Sequence, residues 1–337
     1  MLNTPILYVL VSRDKDLYLE ELWTSLYSLR QFHPEAVVYV LADDITSERI
    51  LQRPALAEMI THLQVVPVPE AYSPKLRSRE IKTSVRNLVQ GDFLFIDTDT
   101  VIARPLDEVD LLDVKNLAMV PELHGPFRNH LFYDLTWKDT KRIFDIDASD
   151  SPYWFNSGCM LVRDNAATRD FFTRWHANWE HSALVKGNSS DQRALLATDK
   201  SAGFFIECLP DSYNCQVAMS IQHLYDACIV HFWHMRASFT SDLNYSPYCS
   251  KAIYRQIRED KGISPQSANL IANVKRSFAT PSMMVGEQEV RFLFSSFYVV
   301  LGKAYRESRA MRTFLDFLIK YTNLYQRAKR KIRKPKA

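Results

Sequence analysis

Two carboxylates one residue apart follow a short, strongly apolar run: Phe93-Leu94-Phe95-Ile96, then Asp97-Thr98-Asp99-Thr100. Four consecutive apolar residues bounded by polar ones read as a buried strand. In an open parallel sheet, ligands bind beyond the carboxyl ends of the strands. The chain turns there, so both acids can approach one cation, and hard oxygen ligands suit Mn²⁺ or Mg²⁺. Alternatively, the first acid can attack phosphorus as a nucleophile. His231 ends a second apolar run, Ala227-Cys228-Ile229-Val230, and can complete a metal shell through a ring nitrogen. His231-x-x-His234 lacks the cysteines or helix of a zinc site.

The elements before the acid pair must hold it in place. Pro5 to Val11 and Ala36 to Leu41 read as apolar strands, and Leu63 to Val68 as a third, short one. Between them, Leu17 to Arg30 has helical spacing, and Thr46 or Ser47 is expected to cap a helix running to Ile60. Strands alternating with helices predict a parallel sheet covered by helices. A helix over Leu76 to Val89 carries Lys75, Arg79, Lys82 and Arg86 on the face opposite Ile81 and Val85, a stripe that reads equally as a solvated face. Further on, Leu117 to Val120, Tyr153 to Val162, Phe204 to Leu209 and Ala227 to Val230 read as strands. Asp164 or Asn165, and Ser189 or Ser190, are the expected helix caps.

Composition narrows the class. The 337 residues are 47% hydrophobic and 24% charged, enough for a sizeable core and against disorder. Only 8 glycines occur, and none form G-x-G-x-x-G or a P-loop. No run reaches the roughly 18 apolar residues of a membrane span. The N-terminus reads as a first strand, not a signal peptide. The five cysteines contain no C-x-x-C pair, which fits a reducing, cytoplasmic setting. From Lys303 to Ala337, 12 Lys/Arg stand against 2 Asp/Glu, whereas the rest of the chain has 30 against 37. Met311, Phe314, Leu315, Leu318 and Ile319 make an apolar stripe with Arg309, Arg312 and Lys320 opposite. With the basic tail, this makes an anionic membrane surface a candidate partner and the inner membrane face a candidate location; a free, solvated end is the alternative.

Phe95-Ile96-Asp97-Thr98-Asp99-Thr100-Val101 fits two kinds of enzyme. One is a nucleotide-sugar transferase. The other is a haloacid-dehalogenase-type phosphatase, with Asp97 as phosphoryl acceptor. That phosphatase motif normally opens the chain, whereas here it ends a fourth strand. The ordered set of segments resembles the GT-A glycosyltransferases, within them the retaining family of bacterial lipopolysaccharide galactosyl- and glucosyltransferases and glycogenin. The resemblance rests on Phe93 to Val101, on Phe155-Asn156-Ser157-Gly158-Cys159, on Asp191-Gln192-x-x-Leu195, and on Leu209-Pro210 with Tyr213-Asn214 and Val230-His231-Phe232. It spans about residues 5 to 236. Where the family continues with Gly and Lys-Pro-Trp, this chain reads Trp233-His234-Met235-Arg236, leaving His234 or Arg236 in place of the phosphate-binding lysine.

The resemblance implies a GT-A catalytic domain over 1–236, with a nucleotide-binding half (1–100) and a sugar and acceptor half (101–236). A helical extension over 237–326 and a basic tail over 327–337 follow. It implies a hexosyltransferase taking a nucleotide sugar, UDP-linked, to a glycan or lipid-linked acceptor with retention; no nucleic-acid partner is expected. Asp97, Asp99 and His231 are expected to hold Mn²⁺ or Mg²⁺. Arg79 and Lys82 are expected on the diphosphate, and Val11 and Ser12 near the nucleoside. Asn156, Asp191 and Gln192 are expected on the sugar, with Asp191 and Gln192 at the reacting carbon. A non-catalytic sugar-binding module is the third reading. Trp137, Tyr153, Trp154, Phe155 and Trp233 offer a stacking wall, although aromatic residues more often build cores.

Overall fold

The computed structural model describes residues 2–217, 221–232, 246–277, 288, 291–292 and 295–332. They fall into two compact units, one from the described residues of Met1–His234 and Asn244–Thr280, the other from those of Met235–Leu243 and Pro281–Ala337.

The first unit alternates strand and helix: β1 (Ile6–Leu10), α1 (Tyr18–Phe32), β2 (Val38–Ala42), α2 (Asp44–Leu51), α3 (Pro54–Ala57), β3 (His62–Val65), α4 (Pro74–Leu88) and β4 (Phe93–Ile96). It continues through β5 (Thr100–Ile102), β6 (Leu117–Pro121), α5 (Tyr133–Phe144), β7 (Phe155–Val162), α6 (Ala166–Glu180), α7 (Asp191–Ser201), β8 (Glu207–Cys208), β9 (Cys215–Gln216) and β10 (Ile229–His231). Helices α8 (Ala252–Asp260) and α9 (Pro265–Ala272) complete it. A seven-stranded sheet has the order β3-β2-β1-β4-β7-β6-β8. It is mostly parallel, as expected; β7 alone runs against its neighbours β4 and β6. Alternation along β1 divides the core: Ile6, Tyr8 and Leu10 pack with α1, while Leu7 and Val9 pack with Ile81 and Val85 of α4 and Trp175 of α6.

Local chemistry moved several boundaries. The helix expected to run to Ile60 is two helices, because Pro54 cannot donate into a continuing ladder and instead starts α3. Asp43, rather than Thr46 or Ser47, caps α2 through the Thr46 N–H. Asn165, not Asp164, caps α6, and Asp164 accepts from Gly91 N–H instead.

The turn after β4 leads out of the main sheet. Thr100 Oγ1 donates to the Asp97 carbonyl at 2.8 Å, closing the Asp-Thr-Asp turn. The chain then enters a three-stranded sheet of order β5-β10-β9, in which Thr100 lies opposite His231 in antiparallel register. In β7 the pairing with β6 slips between Met119–Met160 and Val120–Asn156, and this bulge releases Ser157 and Gly158 toward the same edge.

Helix α8 returns to the start of the chain. The Arg258 guanidinium bonds both Glu20 carboxylate oxygens, at 3.0 and 2.7 Å, and the carbonyls of Asp14 and Asp16. The compact unit therefore reaches beyond residue 236 and includes part of the stretch read as an extension.

The second unit contains α10 (Ser296–Glu307) and α11 (Arg309–Ile332). Phe314, Phe317, Ile319 and Tyr321 of α11 are exposed. Among the described residues, no helix is long and apolar enough to cross a membrane.

Candidate active site

The carboxyl ends of β1, β4 and β6, with β7, α4 and the start of α7, surround a cleft of about 710 Å³. That is the size of a typical small-molecule site. Asp97, Asp99 and His231 place one ligand atom each within 4.8 Å of one another at its floor.

The proton inventory of this floor follows from one backbone donor. Gly158 N–H donates to Asn156 Oδ1 at 2.8 Å, which fixes the Asn156 amide orientation. Asn214 Nδ2 donates to the same oxygen at 2.9 Å, so Asn214 Oδ1 faces His231 Nδ1 at 2.8 Å and takes its proton. In the neutral imidazole, Nε2 is then a bare lone pair, 3.1 Å from Asp99 Oδ1. Two lone pairs at that distance require a proton or a cation between them. Burial works against charging His231, but Asp99 outweighs it and raises the imidazole pKa. The donor set of two carboxylates and one oriented imidazole fits Mn²⁺ or Mg²⁺, and Asn214 is the kind of outer partner that orients a metal-binding histidine.

Of the basic stripe of α4, Lys75 is exposed, whereas Arg79, Lys82 and Arg86 turn inward. Lys82 is 2% exposed and donates to both Asp97 oxygens at 2.8 Å. Arg79 pairs with Asp191 Oδ1 at 3.1 Å, and Lys82 stands 3.9 Å from the other Asp191 oxygen. Arg86 is fully buried, bonded to the carbonyls of Val89 and Gly91, and belongs to the core. Burial alone would raise the Asp191 carboxyl, but Arg79 and Lys82 hold it below the usual carboxylate range. Asp191 in turn raises the Arg79 guanidinium. Ser157 Oγ donates to Asp191 Oδ2 at 2.9 Å, and Trp175 Nε1 to its carbonyl at 3.0 Å.

The other expected residues sort by position. Val11, Asn156 and Gln192 line the cleft with Asp191. Asn156 spends both ends of its amide on protein groups, donating to Glu122 Oε2 at 2.8 Å. Ser12 is fully buried: its N–H donates to Thr46 Oγ1 at 2.9 Å and its hydroxyl to Asp16 at 2.7 Å. Trp137, Trp154 and Phe127 form a small aromatic cluster, and Phe155 packs in the core. Trp233, His234 and Arg236 lie outside the described residues.

Glu122 was missed by motif reading. It follows β6, which runs parallel to β4, so a carboxylate there sits at the same sheet edge as Asp97. The strand-end rule that singled out Asp97 finds Glu122 as well once Leu117–Pro121 is read as a strand. Burial raises its carboxyl, against the hydrogen bonds from Asn156 and Gln192.

A second grouping, His124, Asp211 and His223, also brings candidate ligand atoms within 4.8 Å. Gln216 N–H donates to His124 Nε2 at 3.2 Å, which puts the neutral ring's proton on Nδ1, facing Asp211 at 2.9 Å. That is a satisfied hydrogen-bonded pair, with no lone pair left for a cation on His124.

No protein-family model matches the chain, and no curated protein matches it. Among solved structures, the chain is similar to the galactosyltransferase LgtC in complex with donor and acceptor sugar analogues: 15% identity, TM-score 0.49, 85% of this chain and 98% of that one. It is similar to mouse xyloside xylosyltransferase 1 in its apo form, at 12% identity and TM-score 0.44 over 68% of this chain and 97% of that one. It is also similar to the glycosyltransferase GlyE of Streptococcus pneumoniae TIGR4, at 15% identity and TM-score 0.45 over 84% and 67%.

Proposed function

We propose that the chain is a metal-dependent glycosyltransferase that moves a hexose from a UDP-linked donor to a glycan or lipid-linked acceptor with retention. The carrying observation is the Asp99–His231 pair: an oriented imidazole lone pair facing a carboxylate 3.1 Å away, with Asp97 alongside. When bound there, Mn²⁺ or Mg²⁺ supplies Lewis-acid charge to a diphosphate leaving group.

The chain's own residues do the rest. Arg79 and Lys82 bring two cations to the cleft wall, and a diphosphate can draw on both. Asp191, held ionised by those cations, offers negative charge to the positive character that develops at the sugar carbon. The cleft floor fixes Asn156, Asn214 and His231 in one hydrogen-bonded chain, so the site does not have to order itself at the moment of reaction. The exposed apolar residues of α11, followed in sequence by a basic tail, supply the two signals of peripheral binding to an anionic membrane, where a lipid-linked acceptor would reside. Anionic lipid gives the cytoplasmic leaflet its negative surface potential, so the inner face is the location this reading assigns.

A panel of nucleotide hexoses with Mn²⁺ tests this, scored for binding by calorimetry and for transfer or hydrolysis, with the anomeric configuration of the product read by NMR. Turnover of a UDP-hexose with an α-linked product from an α-linked donor is expected. Release of phosphate from a phosphomonoester through a phosphorylated Asp97 would replace this reading with the phosphatase one.

A further inference from the structure

Glu122 Oε2 accepts two side-chain amides at once, Asn156 Nδ2 at 2.8 Å and Gln192 Nε2 at 2.5 Å. Gln192 Nε2 also lies 3.4 Å from the Phe155 carbonyl. Both donors of that amide thus have acceptors in the protein. Its Oε1 has no partner among the described residues and is not sealed in the interior, while Gln192 lines the cleft. The Glu122 carboxylate therefore dictates which end of the Gln192 amide meets a ligand: the carbonyl oxygen.

The backbone around Glu122 is held in an uncommon conformation to do this. The next two residues, Leu123 and His124, have φ of 55° and 59°, the left-handed region that a leucine rarely adopts. Such strain persists where surrounding bonds over-determine it. Here Gln216 supplies them: its Oε1 accepts from Leu123 N–H at 2.9 Å, its Nε2 donates to Pro121 O at 3.0 Å, and its N–H donates to His124 Nε2. His124 is in turn held by Asp211. Gln216 lies opposite His231 in the small sheet, so the clamp that sets Glu122 is tied to the strand carrying the metal-site histidine.

We infer that Glu122 is a positioning residue that locks the Gln192 amide with its carbonyl toward the cleft, making Gln192 an obligate acceptor for a hydroxyl of the donor sugar. The specificity consequence is concrete: a donor with a hydroxyl at the position facing Gln192 is favoured, and its deoxy analogue leaves that carbonyl unpaired. The kinetic part rests on the transferase reading above; the positioning part does not.

The test has two arms. In the first, the Gln192 side-chain amide signals are assigned by ¹⁵N NMR from their loss in Gln192→Ala. A carboxylate-bonded amide is shifted downfield, and Glu122→Ala should collapse it to the position of a free glutamine. Glu122→Gln keeps the size and an acceptor carbonyl, so there the signals should move part of the way, because the acceptor itself has changed. Unmoved signals in either variant overturn the inference, and the Gln variant decides it if the Ala variant does not fold. In the second arm, turnover of the best donor is measured for Glu122→Ala, Gln192→Ala and the double variant. Single losses of about tenfold or more in kcat are expected, with the double no worse than Gln192→Ala, as residues acting in one unit behave. Multiplicative losses show Glu122 acting independently and overturn it. A wild-type protein inactive on every donor sinks the transferase reading and leaves the first arm to decide the positioning.

Discussion

His231 Nε2 and Asp99 Oδ1 face each other at 3.1 Å across β10 and the Asp-Thr-Asp turn, and Phe232 N–H closes the same junction on the Asp99 carbonyl at 2.9 Å. The two side chains are thus fixed to one another by backbone pairing. Replacing Asp99 or His231 by Ala should weaken Mn²⁺ binding by more than the roughly 10–100-fold typical of losing an outer partner. Calorimetric Mn²⁺ titration of the intact chain measures it; wild-type affinity in both variants would remove these residues from the metal site.

Gly158 leaves room for the histidine. A Cβ there would lie 2.9 Å from His231 Nδ1 and 2.8 Å from Asn156 Oδ1, and closer still to His231 Cε1. Backbone and ring are both fixed by hydrogen bonds, so Gly158→Ala should cost about 1–3 kcal/mol of stability through overpacking. It should also weaken Mn²⁺ binding by turning the ring. Urea unfolding and metal titration of the same variant check both effects, and an unchanged midpoint with unchanged affinity refutes the packing argument.

Lys82 is the buried cation between Asp97 and Asp191. Removing one partner of a buried pair leaves charge uncompensated, at about 3–5 kcal/mol. Because Asp97 is 27% exposed, water relieves part of this, and Lys82→Met should fall near the lower end. Denaturant unfolding measures the loss, and a change under 1 kcal/mol would show that water already screens the pair.

Asp199 gives a pH dependence remote from the chemistry. It is 2% exposed, and burial pushes its carboxyl up to about 6, against hydrogen bonds from the Ile206 and Phe205 backbone. A carboxyl raised on folding binds its proton more tightly in the native state. Its contribution therefore favours folding at low pH and is lost as pH rises from about 4 to about 6. The loss is on the order of 3 kcal/mol. Asp199→Asn should flatten that part of the Tm-versus-pH curve; a variant curve parallel to wild type would contradict it.

The exposed face of α11 and the basic residues that follow predict salt-sensitive binding to anionic vesicles, each basic group near the surface being worth about 1 kcal/mol. Co-sedimentation of the full chain, and of a chain ending at residue 325, with neutral and anionic lipid measures it. Equal partitioning of the two chains, or indifference to salt, would free the tail from any membrane role.

The parallel half of the sheet was legible because its strands are nearly continuous apolar runs, and Asp97, Asp99 and His231 because they end such runs. What stayed hidden was set by contacts distant in sequence. The strands Glu207–Cys208 and Cys215–Gln216 are too short to carry a pattern. Ser12 resembles a ligand contact until Thr46 and Asp16 are seen to consume it. The spacing of Arg79, Lys82 and Arg86 fits a solvated face equally well, and only Asp191, Asp97 and the carbonyls after α4 show that it points inward.

Arg258 joins two stretches of the chain that are synthesised far apart in time. Glu20, 1% exposed, leaves the ribosome 238 residues before the guanidinium that neutralises it. Chains fold from the N-terminus during synthesis, so the segment after β1, already held by Ser12 on Thr46 and Arg13 on Asp43, gains its Arg258 contacts only when α8 emerges. A nascent or truncated chain that stops short of α8 holds Asp97, Asp99 and His231 but lacks the Arg258 clasp on Glu20. Emergence of α8 is thus what adds the Arg258 clasp to the segment between β1 and α1.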